Sequence, residues 1–399
     1  MPNPLDQVAS WPVTAAVGFA SQQGALETTG PADRPFPWAS VTKLLTTLAA
    51  LDAVQRGLLG LDEPAGPPGS TIRHLLAHAS GLAFDGDVIQ AKPGQRRIYS
   101  NRGIEIVAEV VAARSGQPFE RLLADEVLLP LGLAGTRLEG SPAWGASGPL
   151  TDLMNLAVEL ASPSLVDEDL LAAATRVAFP GLTGVLPGFG RQANCDWGLG
   201  FEIRDSKAPH WTGSRNSPRT FGHFGRSGSF LWVDPDAGLV CAGLADHDFD
   251  EWAKQAWPRL ADDLLAAHAA LSRPFLQEER GLATGFRTWK ADARDRCRGE
   301  LRRRGAREAA MIPCGDIHHL RLTVTDVQRS REFYTGLLGF EVVAESPPPD
   351  DPAAAETFKV LFGGVVMARG SLIMGLRPMA PPADRIQLEL TAPVPADGR

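Results

Sequence analysis

PWASVTKLL, residues 37–45, sets a serine and a lysine three positions apart at the head of an apolar run. Serine is a common helix cap and lysine a common surface residue, so chance accounts for one reading. A nucleophile beside its base is the other. Residues at i and i+3 of a helix share a face. A hydroxyl at a helix N-terminus sits where the dipole stabilises a developing alkoxide. A lysine in a partly dry site loses its proton near neutral pH and acts as a base. A lone S-x-x-K arises by chance about once in a chain of this size, so the rest of the sequence has to decide.

The 399 residues exceed one typical core, so two domains are expected, with three possible. Composition is that of a soluble globular protein, 44% hydrophobic and 22% charged, with a formal charge of -8. This balance gives no reason to expect nucleic acid or an anionic membrane as partner. Cys195, Cys241, Cys297 and Cys314 are widely spaced, with no C-x-x-C pair. They read as idle thiols of a reducing compartment. The opening stretch, MPNPLDQVASWPVTAAVGFA, lacks a basic region before its apolar stretch, which Pro12 breaks. It does not read as a signal segment. No run has the length of a membrane span. The expectation is a cytoplasmic protein.

Residues 1–270 read as one compact unit. VTAAVGFA (13–20) has the composition of a strand. SVTKLLTTLAALDAVQR (40–56) carries apolar residues at 41, 44, 45, 48, 51 and 54, which is helical spacing, and Gly57 and Gly60 end it. STIRHLLAHASGL (70–82) reads as a second helix, capped by Ser70 and closed by Gly81. NRGIEIVAEVVAARSG (101–116) reads as a third, stopped by Gly116. SFLWV and LVCAGL, joined by DPDAG, read as two strands and a turn within 221–246. Residues 271–310 hold 11 basic against 6 acidic side chains and read as an Arg-rich linker. No aromatic platform accompanies the charge, so nucleic-acid binding is not favoured there. Residues 311–399 begin a new pattern: strand HLRLTV, helix SREFYTGLLG, strand FEVVAE and two further strand-like stretches.

Two more short motifs carry chemistry. In IYSN (98–101), Tyr99 and Asn101 flank Ser100 just before a helix. A phenol near an ammonium can be held partly as phenolate and move protons. Asn101 can bond a substrate carbonyl or hold Lys43. Alone, Y-x-N reads more readily as a helix cap. In GHFGRSGS (222–229), glycines at a strand edge let a substrate approach and expose N–H groups, and His223 can donate to a reacting group. Alone, this reads as a tight turn with a satisfied histidine.

The order S-x-x-K, Y-x-N, H-x-G resembles the serine β-lactamase and penicillin-recognising superfamily. The chain is most similar to its class C β-lactamase-related branch, which includes family VIII carboxylesterases and D-aminopeptidase-type enzymes. GLLGLDEPAGPPGSTIRHLLAHASGL, DWGLGFEI and LWVDPDAGLVCAGL add to the likeness, which covers about residues 5–268. It implies an α+β, β-lactamase-like fold: an antiparallel sheet flanked by helices, plus a helical subdomain. It implies Ser40 as acylated nucleophile, Lys43 as its base and Tyr99 as assisting general base and acid. Asn101, His223, Gly225 and Arg226 become substrate-binding residues. The backbone N–H groups of Ser40 and Arg226 form the oxyanion hole. No cofactor and no metal is implied.

β-Lactamases and D,D-peptidases of the superfamily usually carry K-T-G as third motif, where a lysine meets a substrate carboxylate. Here the residues are His223, Phe224 and Gly225, with Arg226 next in line as a candidate cation. Together with the expected cytoplasmic location, this favours an esterase or amidase acting on a small-molecule substrate over a resistance enzyme. The segment between the first two motifs reads as a trimmed lid. His74 and His78 stand four apart, but no glutamate follows His74 as in H-E-x-x-H, so zinc is not favoured. His247 carries no assignment.

IHHLRLTVTDVQRSREFYTGLLGFEVV (317–343) resembles the opening βα unit of the vicinal oxygen chelate superfamily, home of glyoxalase I, extradiol dioxygenases and bleomycin-resistance proteins. In metal-using members the residue matching His319 is a ligand. A full domain pairs two βαβββ modules, whereas the residues from 317 onward supply little more than one. No histidine follows His319, and Glu389 cannot be placed as a ligand. The expectation is a partial module without metal, which either pairs with another chain, as in a homodimer, to complete itself or is a poorly ordered fusion remnant. The alternative function is a non-catalytic binding or sequestering protein acting through this module.

Overall fold

The computed structural model describes residues 3–272 and five strands between residues 319 and 391. The chain divides into two compact units, Met1–Arg303 and Arg304–Arg399. Most of the Arg-rich stretch, 273–310, lies outside the described residues.

The first unit begins with strands β1 (Ala15–Ser21), β2 (Leu26–Thr29) and β3 (Phe36–Pro37). Helices α1 (Thr42–Gln55), α2 (Ile72–Leu76), α3 (Asn101–Ser115) and α4 (Phe119–Leu123) follow. Short strands β4 (Arg137–Leu138) and β5 (Ala146–Gly148) precede α5 (Leu150–Ala161) and α6 (Glu168–Ala174). A small hairpin, β6 (Gly184–Leu186) and β7 (Gly190–Gln192), leads to β8 (Glu202–Ile203), β9 (Phe221–Gly225), β10 (Ser229–Asp234) and β11 (Leu239–Ala245). Helix α7 (Glu251–Ser272) is the last described element of the unit.

The main sheet runs β2-β1-β11-β10-β9-β8, antiparallel at every pair. Its late strands alternate between two cores. Phe230, Trp232, Leu239 and Cys241 meet Trp257, Leu260 and Leu264 of α7. Leu231, Val233, Val240 and Ala242 meet Leu153, Leu156 and the rest of the helical layer. Every residue of β10 and β11 is buried because helices cover both faces. The turn between them is held by Asp234, whose carboxylate accepts from the N–H groups of Asp236 and Ala237. This is the expected strand–turn–strand.

Helix α1 departs from the amphipathic reading. Thr42 to Ala53 are all buried, Lys43, Thr46 and Thr47 included. The helix runs through the core, packed on α3, α4 and α6, so its apolar spacing marks one of several covered sides. Helix α3 matches its expected bounds: the Ser100 hydroxyl accepts from Gly103 N–H, and Gly116 ends it at φ 72°. Helix α2 is shorter than expected. Thr71, not Ser70, caps it, and it ends at Leu76 before His78 turns left-handed at φ 54°.

In the second unit, β12 (His319–Val324), β13 (Glu341–Glu345), β14 (Val365–Arg369), β15 (Leu372–Pro378) and β16 (Gln387–Thr391) form one sheet. Its order is β13-β14-β15-β12-β16, with β12 parallel to β15. Both strands read from HLRLTV and FEVVAE are present. The helix read at 330–339, and the side chains of His319 and Glu389, lie outside what is described.

Candidate active site

Ser40 is not in α1 itself. It sits in a tight 3₁₀ turn, Ala39–Val41, immediately before the helix. Ala39 holds φ 44°, a left-handed conformation that an alanine adopts only when its surroundings enforce it. The enforcement is visible. Trp38 N–H donates to Ala146 O at 2.8 Å, and the Ser229 hydroxyl donates to Trp38 O at 2.7 Å. Gly225 completes the fit. A Cβ there would stand 2.6 Å from Trp38 O and 2.3 Å from Ser229 Oγ. The third motif therefore lies directly against the first, and only a glycine permits that approach.

Lys43 lies on the first turn of α1, fully buried. Its Nζ donates to Asn101 Oδ1 at 2.7 Å, to Ala143 O at 2.8 Å and to Ser40 Oγ at 3.3 Å. Burial lowers its pKa to about 7, against the opposing pull of Glu105 and Asp85. At neutral pH a large share of this amine is unprotonated, with its lone pair within reach of the Ser40 proton.

Tyr99 is half-buried, packed among the rings of His78, Phe84, Trp197 and His223. Its hydroxyl bonds the Ser40 side chain, and burial raises its pKa well above the ordinary phenol value. Lys43 Nζ stands 4.8 Å from the ring centre, but desolvation outweighs that attraction. Tyr99 is therefore a protonated phenol, not the partial phenolate expected from sequence.

His223 is likewise changed. Its Nδ1–H donates to Phe224 O at 2.7 Å, which leaves Nε2 as an acceptor 3.5 Å from the Tyr99 hydroxyl. Burial, with Lys43 nearby, lowers its pKa to about 3. The ring is neutral and accepts a hydrogen bond at this point, where sequence suggested a donor. Asn101 uses both ends of its amide: Oδ1 takes Lys43, and Nδ2 donates to Asp85 Oδ1 at 3.0 Å. The hold on Lys43 that the sequence suggested is present in the structure. Arg226, the candidate cation beside the third motif, lies at the cavity's exposed edge. Its guanidinium is 88% exposed and pairs outward with Asp248 at 3.1 Å.

Ser40, Tyr99, His223 and Arg226 line one cavity of about 420 Å³. Phe84, Leu186, Pro187, Trp197, Phe224 and Phe249 make most of its remaining wall, so it is chiefly apolar. A larger groove of about 690 Å³, beside Leu160, Asp205 and Phe221, contains none of the motif residues. Glu202 also reaches this cavity, but its carboxylate is spoken for. Oε1 pairs with Lys207 at 2.7 Å, and Oε2 accepts from His210 and Trp211 at 2.9 Å each. Burial pushes its pKa up, yet His210 and Lys207 outweigh this and hold it at about 2. Arg97, two residues before Tyr99, donates to Ala77 O, Cys195 O, Ala178 O and Phe179 O. It ties the Tyr99 segment to the chain that carries Trp197.

The aromatic wall, Ala143 O, Asp85 and Glu105 were not singled out from sequence; no local pattern marks them. His74 and His78 do not converge. His74 bonds Thr71 and stacks on Phe179, while His78 accepts from Ser100 N–H. No metal-type cluster occurs among the described residues, and no helix among them is long and apolar enough to cross a membrane.

A family model described as Beta-lactamase matches residues 11–266. A second, described as Glyoxalase/Bleomycin resistance protein/Dioxygenase superfamily, matches residues 316–393. The solved structure of a beta-lactamase from Mycobacterium bovis is 51% identical, spans 67% of this chain and 99% of that one, and superposes with a TM-score of 0.66. EstCE1, a hydrolase with promiscuous acyltransferase activity, is 18% identical over 66% of this chain and 96% of its own, with a TM-score of 0.52, a likeness of fold. The D-alanyl-D-alanine-carboxypeptidase/endopeptidase AmpH of Escherichia coli (strain K12) is 25% identical over 141 residues. That match takes in 26% of this chain and 37% of AmpH, so the chain spans little more than a third of that relative's length.

Proposed function

The chain belongs to the beta-lactamase family of serine hydrolases over residues 11–266 and carries a glyoxalase-superfamily region over 316–393; from that premise we propose that it hydrolyses neutral carboxylic esters through an acyl-enzyme on Ser40. One observation carries the reading: a buried lysine amine, with a pKa of about 7, 3.3 Å from the Ser40 hydroxyl.

In this mechanism neutral Lys43 takes the Ser40 proton as Oγ attacks the substrate carbonyl. The tetrahedral oxyanion is held by the N–H groups of Ser40 and Arg226. The C–O bond to the leaving alcohol breaks, and the Tyr99 hydroxyl supplies the proton that the alkoxide needs. Lys43 ammonium then restores the Tyr99 proton. In the second half a water gives a proton back along the same route and attacks the acyl carbonyl, releasing the acid and free Ser40.

The preference for an ester without a carboxylate rests on the third motif. A carboxypeptidase substrate ends in a carboxylate, which a fixed cation would hold. His223 is neutral, and the cationic side chains that reach the cavity are already paired, Arg226 with Asp248 and Lys254 with Glu251. The apolar cavity suits an uncharged acyl group.

The test is intact-protein mass spectrometry after mixing the protein with p-nitrophenyl butyrate, a fluorophosphonate or a penicillin. An ester or phosphonate adduct on the wild type, absent in Ser40→Ala, is the expected result. A penicillin adduct that forms and turns over as fast as the ester would replace the ester reading with β-lactam hydrolysis. No adduct with any reagent would overturn the acyl-enzyme.

A further inference from the structure

We propose that His78 is a positioning residue that fixes the Tyr99 hydroxyl over Ser40, an inference that rests on the acyl-enzyme reading above. His78 is 1% exposed and holds φ 54°. Left-handed backbone at a buried, bulky side chain is strained, and such strain persists where the surroundings impose it.

Its contacts explain what the strain accomplishes. His78 grips the chain on both sides of Tyr99. Its carbonyl accepts from Ile98 N–H at 2.9 Å, and its ring Nδ1 accepts from Ser100 N–H at 3.2 Å. Its ring also packs against the Tyr99 ring, with centroids 4.6 Å apart, and meets Trp197 edge-on at 4.7 Å. Backbone and side chain of one residue thus fix the Arg97–Ile98 peptide, the Tyr99–Ser100 peptide and the Tyr99 ring itself. The left-handed turn is what brings the carbonyl and the ring to the same short segment.

The tautomer follows. Nδ1 accepts, so the proton is on Nε2, which has no hydrogen-bond partner in the structure. A leucine would fill this space without an unpaired N–H, whose burial costs about 1–3 kcal/mol. The histidine is therefore explained by what Nδ1 holds. Tyr99 needs such a hold because its hydroxyl meets only the Ser40 side chain, the group it must serve, and His223. The bond to His223 is 3.5 Å long.

The experiment is a double-mutant cycle in the full-length chain: His78→Leu, His78→Asn, Tyr99→Phe and the two combinations, with kcat, KM and thermal midpoint measured on p-nitrophenyl butyrate. His78→Leu should lower kcat about 10- to 100-fold, the scale of misplacing a reacting group, with KM within about twofold. His78→Asn should recover most of that loss, because its amide oxygen can accept from Ser100 N–H and asparagine tolerates left-handed backbone. In the Tyr99→Phe background, His78→Leu should cost less than about twofold, since its target is gone.

Equal losses in both backgrounds would overturn the proposal while leaving Ser40 and Tyr99 catalytic. A Tyr99→Phe enzyme as fast as wild type would overturn the catalytic reading of Tyr99 and this proposal with it. Should His78→Leu not fold, nitrogen NMR of the wild-type imidazole decides. A proton on Nε2 supports the clamp, and a proton on Nδ1 overturns it.

Discussion

Asn101→Ala is a sharp test of how Lys43 is tuned. The lysine nitrogen has two close acceptors, Asn101 Oδ1 at 2.7 Å and Ala143 O at 2.8 Å. Both favour the ammonium form, and burial opposes it, leaving a pKa of about 7. A hydrogen bond to a charged group contributes about 1.5–3 kcal/mol. The neutral amine keeps part of that bond, so the differential is smaller, about 1.4 kcal/mol or one pH unit. Removing the amide should move the lysine pKa downward to about 6.

The sign matters. In the proposed mechanism Lys43 acts as a base only when unprotonated, so kcat/KM should rise with pH through its pKa. In the wild type the active fraction is about half at pH 7 and about a tenth at pH 6. In Asn101→Ala it should be about half at pH 6, so the acid limb shifts to lower pH. The plateau should fall about 10-fold, because the amine has lost one of its restraints. The assay is kcat/KM for p-nitrophenyl butyrate across this range, followed at the wavelength where phenol and phenolate absorb equally. An acid limb that stays in place or moves upward would refute the reasoning, whatever the plateau does.

Lys43→Met should abolish acylation and raise stability below about pH 7, since the folded-state pKa lies below the unfolded one. The wild type binds fewer protons folded than unfolded between about pH 7 and about pH 10.5, so its stability rises across that window, and chemical denaturation should show the slope vanish in the variant. Gly225→Ala places a methyl 2.6 Å from Trp38 O and should cost about 100-fold in kcat/KM by displacing the Ala39–Val41 turn, with a lowered thermal midpoint because overpacking this buried contact costs about 1–3 kcal/mol. Phe249→Ala, in the cavity wall, makes room for about two methylenes, worth about 1.6 kcal/mol. The octanoate-to-butyrate ratio of kcat/KM should rise about 10-fold, and an unchanged ratio would remove Phe249 from the acyl pocket.

The sequence by itself determined the parts whose physics is local. The Ser100 cap and Gly116 stop of α3 act within a few residues of themselves, and their bounds hold. Asp234 and its glycine-ended turn specify the β10–β11 hairpin from within. The order of three motifs was enough to point to the family, which the comparisons bear out over residues 11–266. The tertiary structure alone decided what each motif residue can do. Lys43 owes its partners to residues 58 and 100 positions away, and Tyr99 meets His223 across 124. Whether a tyrosine is phenol or phenolate, and whether a histidine donates or accepts, depends on burial and on which group the fold brings opposite it. Spacing along the chain contains neither quantity. His78 marks the limit: as one of two histidines four apart it looked like a metal question, and folding turned it into a left-handed residue facing Tyr99.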